Sequence, residues 1–144
     1  LLGTQNGINS QYIWSQSSLD PEQLEVQSGL LRPITCTAIG RALLSLKPDD
    51  EIAAIVRRCN LMVENENLRY SPAKFLEIIH EVRRLGYAQT AGDMTPGKAV
   101  LAVALPSVVG QMPMAVGLGA TIRWLNARKE NIIAELMSYQ SRHR

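Results

Sequence analysis

The chain has 144 residues, of which 46% are hydrophobic and 19% are charged, a length and composition typical of one soluble folded domain. Fifteen Lys and Arg residues against 13 Asp and Glu residues give a formal charge of +2, far below the strong basic excess of most nucleic-acid-binding domains. The only cysteines, Cys36 and Cys59, have no paired spacing and no neighbouring histidine cluster, so we expect neither a disulfide scaffold nor a metal site. This cysteine usage also leads us to expect a cytoplasmic location.

The first predicted elements are β-strands. Asn6-Gly7 is a turn signal between apolar residues, and it predicts a β-hairpin closed by a type I′ turn. Residues 17–21 have loop chemistry, and the alternating pattern of Leu24–Gln27 predicts a third strand that ends before Gly29. Two aromatic residues of the hairpin, Tyr12 and Trp14, fit either the core or a contact between subunits.

Two helices are predicted in the next segment. Apolar residues between Thr35 and Leu46 recur at the spacing of one helical face. Pro48, placed at the first helical position and followed by three acidic residues, predicts the start of the second helix. The predicted inward residues of that helix are Ile52, Ile55, Val56 and Cys59.

The third helix has the strongest local signals. Ser71 is the predicted N-cap, Pro72 the first helical residue, and Gly86 the residue that ends the helix in the left-handed conformation. The predicted inward residues are Phe75, Ile78, Ile79, Val82 and Leu85.

The second half of the chain predicts strands and a final helix. Tyr87–Thr90 is predicted to be a strand, and a turn follows at residues 95–97. The 24 residues from Ala99 to Ile122 carry no charge and are long enough to span a bilayer, but two prolines and a central glycine interrupt them. We therefore predict two buried strands, Val100–Leu105 and Met114–Leu118, and then an amphipathic helix over Leu125–Tyr139. Together these elements indicate an antiparallel sheet with helices packed over it.

Few residues are candidates for catalysis. His80 falls on the predicted outer face of its helix, which favours a solvated histidine over a general base. Cys36 precedes a helix start, where the helix dipole lowers a thiol pKa, but the sequence shows no partner base beside it. The segment Gly117–Ala120 lacks the third glycine of a phosphate loop, so we interpret it as a strand whose small residues leave room for a helix or a ligand.

Four motifs occur in order along the chain. They are Arg32-Pro33-Ile34-Thr35-Cys36-Thr37-Ala38-Ile39-Gly40-Arg41-Ala42-Leu43-Leu44, Pro48-Asp49-Asp50-Glu51-Ile52, Ile79-His80-Glu81-Val82-Arg83-Arg84-Leu85-Gly86-Tyr87-Ala88, and Pro96-Gly97 with Val100–Pro106. This set resembles the effector-binding domain of the IclR (isocitrate-lyase regulator) family of bacterial transcription factors. The resemblance covers nearly the whole chain.

The resemblance implies an α+β, GAF-like (profilin-like) fold, in which a curved antiparallel sheet of about six strands with flanking helices cups a small organic effector. Residues 1–144 would form a single effector-binding domain, and a preceding winged helix-turn-helix domain that binds operator DNA would lie outside this chain. The ligand-binding positions implied by the family are Thr37, Ala38, Ile39, Thr90, Val100, Gly117 and Gly119.

The chain departs from the family pattern at four of these positions. Some members place an acid where Thr90 stands, a cysteine at Val100, and serines at Gly117 and Gly119, which together hold a small carboxylate. A buried carboxylate without hydrogen-bonding partners is costly. We therefore expect a larger or more apolar effector, for example an aromatic compound, with Thr37 and Thr90 as its few polar contacts.

The functional prediction is a ligand-sensing regulatory domain with no cofactor and no catalytic residue. Its expected partners are a small-molecule effector, one or three further copies in a homodimer or homotetramer, and operator DNA only through the separate DNA-binding domain, without membrane contact. Two alternatives stay open: an oligomerisation module without a ligand, and a small enzyme that uses Cys36 as its nucleophile.

Overall fold

The computed structural model describes residues 1–16, 27–92, 96–106 and 110–142. The strands are β1 (Leu2–Asn6), β2 (Asn9–Trp14), β3 (Leu31–Pro33), β4 (Ala88–Ala91), β5 (Lys98–Ala104) and β6 (Met114–Thr121). The helices are α1 (Ala38–Leu44), α2 (Asp49–Met62), α3 (Pro72–Leu85) and α4 (Ile122–Arg142), with a short 3₁₀ turn at Glu66–Leu68.

All six strands join one sheet in the order β3-β2-β1-β6-β5-β4, and every neighbouring pair is antiparallel. Helix α1 packs across one face of this sheet, which we call the inner face, and helices α2 and α3 pack behind α1. Helix α4 packs on the opposite, outer face over β5 and β6. The predicted α+β fold, an antiparallel sheet with flanking helices, is confirmed.

Strands β5 and β6 are covered by helices on both faces, which explains their composition. Alanine dominates their buried positions, and such short side chains let α1 and α4 approach the sheet closely from opposite sides. The predicted pair of buried strands is therefore confirmed, and among the described residues no helix is both long and apolar enough to cross a membrane.

The predicted N-terminal hairpin is confirmed, but its predicted type I′ turn is wrong. Asn6 pairs with Asn9, so Gly7 and Ile8 are the two loop residues, and of these only Gly7 has a positive φ, +61°. A two-residue loop with glycine first is the arrangement of a type II′ turn. Tyr12 is buried in the core, whereas Trp14 is 52% exposed.

Part of the predicted third strand, residues 24–26, lies outside the described residues, as do His143 and the first residue of the predicted turn at 95–97. The strand observed after the hairpin is β3, further along the chain, and it forms one edge of the sheet. Pro96 and Gly97 do form a turn, with Gly97 at φ +78°.

The predicted helices are confirmed, with differences at their ends. Ser71 caps α3 by accepting a hydrogen bond from the Lys74 amide, and Gly86 ends it at φ +85°. Pro48 is the N-cap of α2 and not its first helical residue. Leu85 is exposed, contrary to prediction, because it lies in the last turn of α3. Helix α4 begins directly after β6 and is longer than predicted.

Candidate functional site

The strand register gathers three of the predicted site residues into one row on the inner face. Thr90 of β4 pairs with Val100 of β5, and Val100 pairs with Gly119 of β6. Because directly paired residues of an antiparallel sheet share a face, all three lie on the side that α1 covers. Val100 belongs to the same buried cluster as Ala38 and Ile39 of α1.

The next row of the inner face is filled by the Ile39 side chain. A Cβ added to Gly117 would lie 3.3 Å from the Ile39 Cδ1 and 2.6 Å from the Leu101 carbonyl oxygen. A Cβ added to Gly3 of β1 would lie 2.7 Å from the Ile39 Cγ2. Of the two occupants expected for the room at Gly117, a helix or a ligand, helix α1 is the one observed there, because the glycine permits its close packing.

Helix α1 crosses the strands of the inner face. Its N-cap Thr37 lies beside Ser10 of β2, and Ala42 borders the same small cavity as Ala104 of β5. The row of Thr90, Val100 and Gly119, which we call the threonine row, spans β4, β5 and β6. The start of α1 therefore lies toward the other edge of the sheet and away from the threonine row.

Thr37 is the N-cap of α1, and its hydroxyl already has partners. The Thr37 Oγ1 accepts a hydrogen bond from the Gly40 amide at 2.9 Å and lies 2.9 Å from the Ser10 Oγ. The Ser10 hydroxyl also lies 3.3 Å from the Arg32 carbonyl oxygen. Thr37 therefore ties the start of α1 to strand β2, a role the sequence does not reveal because Ser10 is distant along the chain.

Thr90 is the polar member of the threonine row. It is 7% exposed, and its hydroxyl makes no hydrogen bond within the described residues. Among the described residues, every side-chain nitrogen or oxygen that is fully buried has a hydrogen-bond partner. Because the Thr90 hydroxyl has no such partner, its oxygen must keep a small solvent-accessible surface. A hydroxyl in this state costs about 1–3 kcal/mol if it stays unpaired, and it can donate to or accept from a bound molecule.

Arg41 is a buried charged residue in the motif around α1. Its Nε donates to the Thr35 carbonyl oxygen at 3.0 Å, and its Nη2 donates to the Tyr70 hydroxyl at 2.9 Å. The guanidinium carbon also lies 5.6 Å from the centroid of the Tyr70 ring. Arg41 thus joins the loop before α1 to the segment before α3 and holds the helix start in place.

The two cysteines lie away from solvent. Cys36 is 1% exposed, and its Sγ lies 3.6 Å from the Thr35 Oγ1 and 3.8 Å from the Leu68 carbonyl oxygen. Cys59 is in the core, as predicted, with its Sγ 3.5 Å from the same Thr35 hydroxyl. Burial keeps the Cys36 thiol from a dissolved substrate, which does not favour its use as a nucleophile.

His80 is exposed, as predicted, and its contact with Asp49 links α3 to α2. Its Nε2 lies 2.9 Å from the Asp49 Oδ2, and the Arg83 Nη1 donates to the Asp49 Oδ1 at 2.7 Å. Hydrogen bonds from Arg83 and then from His80 hold the pKa of the Asp49 carboxylate below its ordinary value. Asp49, His80 and Arg83 thus form a hydrogen-bonded cluster at the surface, which we call the Asp49 clasp, and it joins α2 to α3.

Three cavities open elsewhere on the described surface. The largest, about 610 Å³, is a groove beside β4 between α3 and α4. A second, of about 390 Å³, lies between the hairpin tip and Leu46, and a third, of about 230 Å³, lies at the C-terminal end of α1. None of these three cavities is lined by the predicted site residues.

The sequence matches the family described as the bacterial transcriptional regulator IclR C-terminal domain over residues 2–142. No curated protein sequence matches it.

Several solved structures share the fold. A structure described as the effector domain of the transcriptional regulator IclR from an Acinetobacter species is 26% identical, with a TM-score of 0.87 over 98% of this chain and 82% of that one. The Thermotoga maritima IclR is 17% identical, with a TM-score of 0.82, and an IclR transcriptional regulator from Alicyclobacillus acidocaldarius is 19% identical, with a TM-score of 0.81. The alignments cover 99% and 98% of this chain but only 57% of each of those two.

Proposed function

This chain belongs to the IclR C-terminal domain family of bacterial transcriptional regulators, and on that premise we propose that it is a ligand-sensing regulatory domain. Its ligand would be a small organic effector that binds on the inner face of the sheet, at the threonine row. A winged helix-turn-helix domain of the same regulator would contact the operator, since the relatives from Thermotoga and Alicyclobacillus extend well beyond the matched region.

The observation that carries the proposal is the Thr90 hydroxyl. It is almost completely buried, has no partner in the described part of the chain and still has accessible surface. Proteins seldom leave a buried polar group in this state unless water or a ligand completes its hydrogen bond. Strand pairing places Thr90 beside Val100, and Gly119 follows Val100 on the next strand; neither residue has a polar side-chain atom.

This mixture of groups defines the chemical class of the effector. Val100, Ala38 and Ile39 offer apolar surface, and the Thr37 hydroxyl is already engaged with Gly40 and Ser10. A small carboxylate would need several donors to offset its lost hydration. The effector is therefore a mainly apolar or aromatic molecule with one or two polar groups, one of which pairs with Thr90.

Ligand binding would act on the rest of the molecule through α1. Ile39 packs on Gly3 of β1 and Gly117 of β6, and Thr37 contacts Ser10 of β2. A displacement of α1 would therefore press on the N-terminal hairpin and change how subunits of a homodimer or homotetramer meet. The ligand can shift that equilibrium only by its difference in affinity for the two states, typically about 1–3 kcal/mol.

The experiment is a thermal-shift and calorimetric screen of the 144-residue chain with neutral aromatic compounds that carry one polar group, starting from benzyl alcohol, and with acetate as the small carboxylate. A neutral aromatic ligand at about 100 times its Kd should stabilise the fold by about 2.7 kcal/mol, whereas acetate should not. Thr90→Val should weaken binding about 3- to 10-fold, the equivalent of one neutral hydrogen bond.

The matched control is Thr4→Val, which removes another buried hydroxyl. The Thr4 hydroxyl lies far from the threonine row and donates to the Pro113 carbonyl oxygen. This variant should bind the same aromatic compound as tightly as the unmodified chain. Equal weakening by both variants, or stabilisation by acetate alone, would contradict the proposed ligand class and its position.

A second function, an oligomerisation module without a ligand, is favoured by one observation. Ile39 fills the space above Gly117, so at that row the interior is occupied by the protein itself. A chain that self-associates but gains no stability from any apolar or aromatic compound would support this function over the sensor.

A further inference from the structure

The groove between α3 and α4 is large enough to hold a small organic molecule. Its volume is about 610 Å³, which is typical of ligand pockets in proteins. Ile78, Val82 and Leu85 line it, and they follow one another on α3 at intervals of four and three residues, the spacing of one helical stripe. The groove therefore has an apolar wall that is open to solvent.

Aromatic surface lies next to a positive charge in this groove. Tyr70 and Tyr87 are lining residues, and both are half-buried. The Lys129 ammonium of α4 lies 5.7 Å from the centroid of the Tyr87 ring. A molecule with an apolar body and an anionic group can contact the ring and the ammonium at the same time.

The charged side chains of the groove leave one positive charge in excess. Two lysines and two glutamates line it, namely Lys74, Lys129, Glu77 and Glu81. Glu81 is already neutralised, because the Arg84 Nε donates to its Oε2 at 2.9 Å and the Arg84 Nη2 donates to its Oε1. The other three side chains form no ion pair or hydrogen bond with another described residue. Two ammonium groups thus face one carboxylate.

Lys129 is the cation best suited to hold an anion. It is half-buried, whereas Lys74 is exposed. Partial burial removes some of the water around an ammonium group, so a charged hydrogen-bond partner there replaces hydration that the group has lost. The described part of the chain supplies no such partner.

We propose that the groove between α3 and α4 is a second ligand site, separate from the threonine row, and that it binds a small monocarboxylate with an apolar or aromatic body. The carboxylate pairs with Lys129, and the body lies against Ile78, Leu85 and the Tyr87 ring. One bound carboxylate brings the uncompensated charge of the groove to zero. A zwitterion, whose own charges cancel, leaves the excess in place.

This site selects a different chemical class from the threonine row. None of the side chains in that row is charged, and we expect it to take a neutral, mainly apolar molecule. The groove instead requires the carboxylate, so a ligand series that varies only in charge separates the two sites.

The experiment uses three molecules that share one phenylpropyl skeleton. Hydrocinnamate is a monoanion, phenylalanine is a zwitterion and hydrocinnamyl alcohol is neutral. In a methyl-labelled NMR titration of the 144-residue chain, hydrocinnamate should shift the Ile78 signals with a Kd of about 1 mM, as expected for so small a ligand. The Val100 signals should stay in place. The other two molecules should bind at Ile78 at least about tenfold more weakly.

Two variants of the groove should change the affinity for hydrocinnamate in opposite directions. Lys129→Met removes the positive charge but keeps a long apolar chain, and it should weaken binding about 3- to 10-fold. Glu77→Gln removes the negative charge that repels the ligand, and it should strengthen binding about twofold or more. Damage to the fold cannot explain both results. Lys47→Met, at a lysine that does not line the groove, is the matched control and should leave the affinity unchanged.

Several outcomes would overturn the site. They are no shift at Ile78 with hydrocinnamate at up to about 10 mM, equal or tighter binding of the alcohol or of phenylalanine, and equal effects of Lys129→Met and Lys47→Met. Because the readout is Ile78 and not Val100, these outcomes leave the threonine row untouched. Failure of benzyl alcohol to bind at the threonine row would likewise leave the groove untouched.

Discussion

The Ile39 side chain on α1 lies so close to Gly3 on β1 that a Cβ added to the glycine would stand 2.7 Å from the Ile39 Cγ2. Helix α1 and strand β1 are therefore in direct contact at Gly3, where the Cβ of any other residue would force the neighbouring atoms to move. The same isoleucine packs on Gly117, so one side chain links α1 to two adjacent strands.

The first prediction concerns this contact. Gly3→Ala should lower the free energy of unfolding by about 1–3 kcal/mol, because the added methyl group overpacks the interior. Ile39→Ala alone should cost about 2–5 kcal/mol. The double variant should lose at least 0.5 kcal/mol less than the sum of the two, since truncating Ile39 makes room for the methyl group. Urea denaturation measures all three, and additive losses would contradict the contact.

The second prediction concerns two buried threonines with opposite hydrogen-bonding states. Thr90→Val should leave stability unchanged or raise it by up to about 1 kcal/mol, because the lost hydroxyl has no partner in the described residues. Thr4→Val should lower stability by about 0.5–1.5 kcal/mol, because its hydroxyl donates to the Pro113 carbonyl at 2.8 Å. Equal losses in urea denaturation would show that the Thr90 hydroxyl is paired. If Thr90→Val is more stable than the unmodified chain and binds the ligand less tightly, the Thr90 hydroxyl is kept for ligand binding at a cost in stability.

The third prediction concerns the buried guanidinium. Arg41→Lys keeps the charge, but its single ammonium nitrogen cannot occupy the positions of both Nε and Nη2, which donate to the Thr35 carbonyl and the Tyr70 hydroxyl, so it should lower the free energy of unfolding by about 1–3 kcal/mol. Arg58→Lys, at an exposed position of α2, is the control and should change stability by less than about 0.5 kcal/mol. Similar losses of stability for both variants would contradict a structural role for the two hydrogen bonds of Arg41.

The fourth prediction concerns the Asp49 clasp and its dependence on pH. The pKa of Asp49 is lowered in the folded chain, so its stabilising effect is present above the ordinary Asp pKa of about 3.9 and is lost as pH falls through the lower folded value. Asp49→Asn should therefore be less stable than the unmodified chain at neutral pH, and the difference should disappear in strong acid. Asp50→Asn, which keeps the clasp, is the control. A difference that persists in acid would contradict an ionic origin.

Local sequence signals predicted the helices better than the contacts between elements. The ends of α3 follow from Ser71 and Gly86, whose effects act within one turn of backbone, and both were predicted correctly. Pro48 was misplaced by one residue because proline suits the end of a preceding loop as well as the first turn of a helix. Strand β3 was not predicted because its three residues carry no alternating pattern.

The candidate site was only partly predictable for the same reason. Family resemblance identified Thr90, Val100 and Gly119, which the strand register does bring into one row. The resemblance gave no warning that Ile39 fills the space over Gly117, since that depends on how closely α1 approaches the sheet. Nor could it show that Ser10 engages the Thr37 hydroxyl, a contact between residues 27 positions apart.

The central claim is that a mainly apolar effector binds at the threonine row, and methyl-labelled NMR during a titration with benzyl alcohol tests it most directly. The methyl signals of Val100 and Ile39 should shift with ligand concentration, while those of Ile55, in the separate cluster beneath α2 and α3, should not. Shifts confined to Ile78, in the groove between α3 and α4, or no shift at Val100 under conditions where benzyl alcohol stabilises the fold, would contradict the claim.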